Sequence, residues 1–190
     1  MTTILLSYNE VQSLARKAAS GAGLPHGVAE EIGHAAVWLS ARGVDAIRIV
    51  VDALEEGGRE AVLDGQAAID ALCCGAEELA LPRNDACGLL LIGLAGAAAM
   101  DTGVNLAVQR ANGDVVPLGR MSDGTSLAPP VKILRVPPDD DAPKSAGTPR
   151  PAASDAAAYA AALALSARTY VPASDVSRAQ GAGAGTTDND

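Results

Sequence analysis

The sequence predicts an α+β fold: an N-terminal three-helix unit, a small antiparallel sheet with a hairpin, and a C-terminal helix followed by a Gly-rich tail. Three observations carry that prediction. The first sixty residues repeat their apolar positions with the period of a helix and break at glycines. An Asn-Gly pair separates two short apolar segments, the pattern of a tight hairpin. A stretch rich in Pro and Asp then divides this body from a last Ala-rich segment, which sets the organisation as a body over 1–136, a linker over 137–151, and a helix with a docking tail over 152–190.

Each element has its own reason. Ser7 and Glu10 have the spacing of a capping box, and Val11, Leu14, Ala15 and Ala18 follow at i, i+3, i+4 and i+7. Gly21 and Gly23 end that helix. Pro25 suits the opening turn of the next, Glu30 and Glu31 favour its N-terminal half, and Val28, Ile32, Ala35, Ala36 and Leu39 form its buried stripe before Gly43. A third helix starts at Asp45, buries Ile47, Val50, Val51 and Leu54, and stops at Gly57 and Gly58.

Residues 66–81 read as one or two short helices, broken at Gly75 and closed by Pro82. Gly88 to Gly93 is a continuous apolar run consistent with a buried strand, and its extension LAGAAAM equally suits a helix. Val104–Arg110 and Asp114–Leu118 flank Ala111-Asn112-Gly113 as the hairpin, and VKILRV, 131–136, alternates as a strand with one wet face. The last helix spans Ser154 to Arg168, with Tyr159, Ala162 and Leu163 as its apolar stripe and Val171-Pro172 beyond its end.

Composition excludes several classes of function. A net charge of −9, with basic residues scattered, argues against nucleic acid, whose phosphates need a basic patch. The apolar run from Ala86 to Met100 is too short to span a bilayer, and MTTILL lacks the charged region and long apolar core of a signal peptide. A cytoplasmic protein without a membrane partner is expected. Cys73, Cys74 and Cys87 form neither a C-x-x-C pair nor an even disulfide framework, so reduced core thiols are expected. Phe is absent and Trp38 is the single Trp, so the core relies on Leu, Val and Ile, with Ala allowing close helix approach.

The sites weighed in the sequence lie mainly at its end, RTYVPASDVSRAQGAGAGTTDND. GAGAG at 181–185 falls short of the dinucleotide fingerprint, because Thr186 stands where the third glycine belongs and no helix has room to follow. What survives is a looser anion site: Arg178 supplies charge, Ser174, Ser177 and Thr186 supply hydroxyls, and Gly181, Gly183 and Gly185 offer backbone N–H groups in a nest. Glu31-Ile32-Gly33-His34 has the E-x-x-H spacing of di-iron bundles but occurs once where two copies are needed, and His26 lies about two turns from His34. The acidic TTDND and Asp139–Asp141 lack the ligand loop of a calcium site. Gly124 to Ala128 lacks the helix a nucleophile elbow needs, since Pro129 and Pro130 follow. Trp38 and Arg42, one turn apart, have the spacing for a cation–π stack, with Trp38 expected in the core. No metal and no cofactor is therefore expected.

Two segments, SYNEVQSLARKAASGAGLPHGVAEEIGHAAVWLSARG (7–43) and TYVPASDVSRAQGAGAGTTDND (169–190), resemble the two ends of a bacterial family known only as a domain of unknown function. That resemblance implies a cytoplasmic bacterial protein of about this length and supplies no activity, cofactor or catalytic residue. Residues 11–58 also resemble the N-terminal helices of the malate/L-lactate dehydrogenases that lack a Rossmann fold. There the Arg-Gly pair precedes a Ser-His-Gly with a catalytic histidine; here Val44-Asp45-Ala46-Ile47 follow Arg42-Gly43, so the likeness implies helical scaffold only.

The function expected from these readings is a non-catalytic small-molecule-binding or accessory protein, a homodimer, with a small anionic ligand held by the tail through Arg178. An enzyme acting on a small anion, with Glu30 or Glu31 as acid/base, and a purely structural partner of another protein are the alternatives.

Overall fold

The capping box at the start of the chain forms as its spacing predicts. Ser7 Oγ accepts from Glu10 N at 3.3 Å and Glu10 Oε2 accepts from Ser7 N at 2.7 Å, which fixes the first turn of α1 (Tyr8–Gly21). In the computed structural model the described residues are 2–56, 58–82, 85–121, 130–138 and 151–169. Gly23, at φ 88, turns the chain into α2 (His26–Ser40), and Gly43, at φ 76, turns it again toward α3 (Ala46–Glu56). Asp45 caps α3, its Oδ1 accepting from Arg48 N at 3.1 Å. Ile47, Val50 and Val51 are buried as expected, and Leu54 is half-buried. The three N-terminal helices are therefore where the period of the sequence puts them.

The next segment departs from expectation. A fourth helix, α4 (Gly58–Cys73), begins eight residues before the predicted start, and Glu78–Ala80 is a strand, β2, rather than helix. The run read as a buried strand, Gly88 to Gly93, lies inside α5 (Asp85–Thr102). Periodicity cannot separate a buried strand from a buried helix. Here the Ala- and Leu-rich composition, which favours helix, and a length of eighteen residues decide it.

Over residues 90–97 α5 is apolar and buried on all sides, while its last turn is exposed. It contacts α2, α3 and α4, and its end leads into the larger sheet. Leu90, Leu91, Ile92, Leu94 and Ala95 are buried. Glycines let the neighbours come close. A Cβ at Gly96 would collide with the Trp38 indole, and one at Gly93 would lie 2.8 Å from Leu39 Cδ1. Removing side chains from α5 thus makes room for the largest side chains of α2.

The predicted hairpin is present: β3 (Leu106–Arg110) and β4 (Val115–Pro117) pair antiparallel, with Val108 opposite Val116, across a turn in which Gly113 has φ 91. A short 3₁₀ turn, Leu118–Arg120, follows. β5 (Pro130–Arg135) completes an antiparallel sheet in the order β2-β5-β3-β4, with Ile133 buried against the helices.

A second, two-stranded sheet was not foreseen. β1 (Thr3–Leu6) pairs antiparallel with β6 (Ala152–Asp155), Thr3 opposite Asp155 and Leu6 opposite Ala152. The last helix, α6 (Ala156–Ala167), therefore starts two residues later than expected, capped by Asp155, whose side chain accepts from Ala157 N and Ala158 N. Its buried face is Ala158, Ala162, Leu165 and Ser166. Of the expected stripe, Ala162 is buried and Tyr159 packs against the core, but Leu163 is 47% exposed, because packing on α1 turns Leu165 inward in its place. The linker over 139–150 and the tail over 170–190 lie outside the described residues, as does Gly124–Ala128. Six helices and two antiparallel sheets among the described residues make this an α+β fold.

Candidate functional site

The groove between α1 and α2 gathers the most diverse polar chemistry of the described cavities. Once the capping box fixes the first turn, Asn9, Gln12, Ser13 and Arg16 follow at i, i+3, i+4 and i+7 and share one face of α1. The apolar face, Val11, Leu14, Ala15 and Ala18, is buried, so the polar stripe is left at its flank. α2 closes the groove with Glu30 and His34, one turn apart. The cavity is about 330 Å³. Gly33 makes the approach possible, since a Cβ there would sit 3.0 Å from the carbonyl oxygen of Gln12.

Charge in this groove is mixed and exposed. Arg16 Nη1 stands 3.9 Å from Glu30 Oε1, and His26 Nε2 stands 3.4 Å from the same oxygen. Both pairs are solvent-exposed, and exposed ion pairs of this kind contribute about 0–1 kcal/mol. An incoming anion can therefore take Arg16 from Glu30 at small expense. Ser13 and His34 line the same groove but make no hydrogen bond to each other, so no nucleophile–base pair is set up.

Glu30 and Glu31, adjacent in sequence, part company in space. Glu31 lines a separate cavity of about 450 Å³ with Gln66, Asp70, Cys73, Asp101 and Thr102. Successive side chains on a helix diverge by 100°, which sends the two acids to different neighbours. Glu31 and His34, though one turn apart on α2, line different cavities, and among the described residues no group of three or more His, Cys, Asp or Glu could hold a metal ion. The remaining sequence candidates, Ser174, Ser177, Arg178, Gly181, Gly183, Gly185 and Thr186, lie outside the described residues.

Trp38 is core, 4% exposed, as its helical setting predicted. Arg42 packs over its ring, so this pair forms part of the scaffold of α2. Sequence reasoning passed over Arg16, Ser13, Gln12 and Asn9. Their signal was the polar stripe complementary to the apolar one, visible at the same spacing.

A second large cavity, about 680 Å³, opens at the end of the four-stranded sheet between Glu77, Glu78, Asn105 and Arg135. Arg135 is committed there to structure. Its Nη1 donates to the carbonyls of Leu72 and Cys73 at 3.2 and 3.4 Å, closing the C-terminal end of α4. Cys87 is buried on α5, and burial pushes its thiol above the ordinary range.

Fold and groove together define an α+β protein with a solvent-open polar cleft between α1 and α2. The family described as "Protein of unknown function (DUF3726)" matches residues 6–120, more than half of the chain, and the chain belongs to that family. No curated protein and no solved structure matches. The second resemblance, to the malate/L-lactate dehydrogenases, is not shown by these comparisons. Among the described residues no helix is long and apolar enough to cross a membrane.

Proposed function

We propose that this protein is a non-catalytic accessory protein that binds a small anionic molecule, with Arg16 as the charge anchor in the α1–α2 groove. The supporting observation is the placement of one weakly committed guanidinium among Asn9, Gln12 and Ser13 in a single concave groove. A carboxylate or phosphate of the ligand meets Arg16, and the amide and hydroxyl groups of α1 satisfy its remaining acceptors. Glu30 acts as the placeholder for Arg16 in the empty groove rather than as an acid or base. In this reading Arg178 of the tail is a second anchor for the same ligand.

A thermal-shift screen with small carboxylates and organic phosphates tests the proposal. At least one such anion should raise the melting temperature, and Arg16→Ala should remove the shift. If Arg178→Ala alone removes it, the site belongs to the tail and the groove assignment is wrong. If no anion stabilises the protein, the reading as a structural partner of another protein takes its place.

A further inference from the structure

Cys73 and Cys74 stand side by side at the end of α4, and both thiols are free. Cys73 is half-buried against the core, while Cys74 is exposed. The third cysteine, Cys87, is buried. The backbone at this point is a Schellman motif. Ala76 N donates to Ala71 O at 2.9 Å and Gly75 N donates to Leu72 O at 3.3 Å, with Gly75 at φ 123. Cys73 is thus the last fully helical residue and Cys74 the half-helical cap.

We propose that Cys73 and Cys74 form an oxidation site, a vicinal dithiol that a hydroperoxide converts into an intrachain disulfide. The exposed Cys74 sulfur attacks one peroxide oxygen. The O–O bond breaks, leaving Cys74 as a sulfenic acid and releasing water or an alcohol. The Cys73 sulfur then attacks the sulfenic sulfur, the S–O bond breaks, and hydroxide leaves as water with the thiol proton. Two thiols are oxidised by two electrons and the peroxide is reduced by two.

Location makes this modification consequential. Neighbouring Cα atoms are about 3.8 Å apart, closer than the usual 4.4–6.8 Å of a disulfide, so the eight-membered ring is strained and readily reduced. Side chains of successive helical residues also diverge, so closing the ring requires Cys74 to leave the cap geometry. Gly75, already in the left-handed region, is the hinge that permits it. Leaving that geometry disturbs the Leu72 and Cys73 carbonyls, both of which accept from Arg135 of β5. Three residues on, Glu77 O accepts from Arg135 N at 2.8 Å, and the chain then enters β2, which among the described residues pairs with β5 alone. Oxidation at the helix cap therefore loosens an edge of the sheet.

The full chain, treated with hydrogen peroxide and followed by intact mass and peptide mapping, tests this. The monomer should lose two hydrogens, mapped to the peptide holding both cysteines, and dithiothreitol should restore them. Cys87→Ser should behave as the unmodified chain. Cys73→Ser should instead accumulate a dimedone-trappable sulfenic acid at Cys74. Amide exchange across 78–80 should quicken in the oxidised form and recover on reduction. Over-oxidation of Cys74 or a disulfide-linked dimer, with no loss of two hydrogens in the monomer, would overturn the proposal. A disulfide with unchanged exchange at β2 would overturn its coupling to the sheet.

Discussion

The guanidinium carbon of Arg42 lies 3.4 Å from the Trp38 ring centroid, and Nη1 of the same side chain donates to the Trp38 carbonyl at 2.9 Å. One residue thus holds both the ring and the backbone of its neighbour one turn back. The indole also rests against the bare backbone of Gly96 on α5, so its position is set from two helices. Gly96→Ala should force the ring to move and cost about 1–3 kcal/mol, the usual penalty for overpacking. Arg42→Met should cost about 0.5–2 kcal/mol, since a cation–π contact is lost while the hydrocarbon cover remains. Chemical denaturation gives both numbers. Trp38 is the sole Trp, so its emission should also shift to the red in Gly96→Ala.

Asp155 ties three elements together. Its Oδ1 accepts from Ala157 N and Ala158 N at the start of α6 and pairs with Arg48 Nη2 at 3.2 Å. Its backbone N donates to Asp45 Oδ2 at 2.8 Å. The backbone N–H of Ala158 first, then that of Ala157 and the Arg48 charge, hold its carboxyl below the ordinary value of 3.8. A lowered folded value means that ionised Asp155 stabilises the fold. Its contribution is complete above that ordinary value and disappears as the pH falls through the lower folded one. Asp155→Asn, which keeps a capping oxygen, should lower the melting temperature above about pH 5, and the difference should shrink as the pH falls below the ordinary carboxylate value. A difference that persists unchanged into acid would show that the charge is not responsible. Glu10, lowered by the backbone and side chain of Ser7, acts in the same sense.

Leu163 and Leu165 provide a direct check on the phase of α6. Leu165 is 8% exposed and Leu163 47%. Leu165→Ala should cost about 2–4 kcal/mol, the range for emptying a buried leucine site. Leu163→Ala should stay within about 0.5 kcal/mol of the parent. Equal losses would restore the face inferred from the sequence.

The exposure of Leu163 illustrates what the chain discloses about itself. Where polar residues interrupt the apolar ones, as in Ser7 to Ala19, the period assigns both the element and its buried side. α6 is Ala at eight of twelve positions, so its pattern carries almost no contrast, and only packing on α1 selects Leu165 over Leu163. α5 hides its period for the opposite reason: over 90–97 it is buried on every side and has no polar face to reveal it. β1 and β6 are four-residue strands whose pairing depends on segments far apart in sequence, which no local signal records. In the groove, Glu30 was legible as an acid near a helix start. Its partnership with Arg16 arises only when α1 and α2 pack through Gly33.

The hairpin offers the most local test. Asn112 and Asp114 hold the turn, Asn112 Nδ2 donating to Asp114 Oδ2 at 2.6 Å and Asp114 N to Asn112 Oδ1 at 3.1 Å. A Cβ at Gly113 would meet nothing within 4 Å. Gly113→Ala should therefore cost only the strain of its left-handed backbone, about 1–2 kcal/mol. A larger loss by chemical denaturation would mean that the turn also contacts something beyond itself.

The pairing of β1 with β6 has a consequence for how the protein is made. Thr3 is synthesised well before its partner Asp155, and the α6 face that covers α1 follows every other described element. Until then the apolar side of α1 facing α6 is without its cover, and the first strand has no ladder. Contacts this distant along the chain are the slow ones to form. While the residues between them are being synthesised, this face of α1 and strand β1 stay uncovered, and the β1–β6 ladder closes only after the other described elements exist.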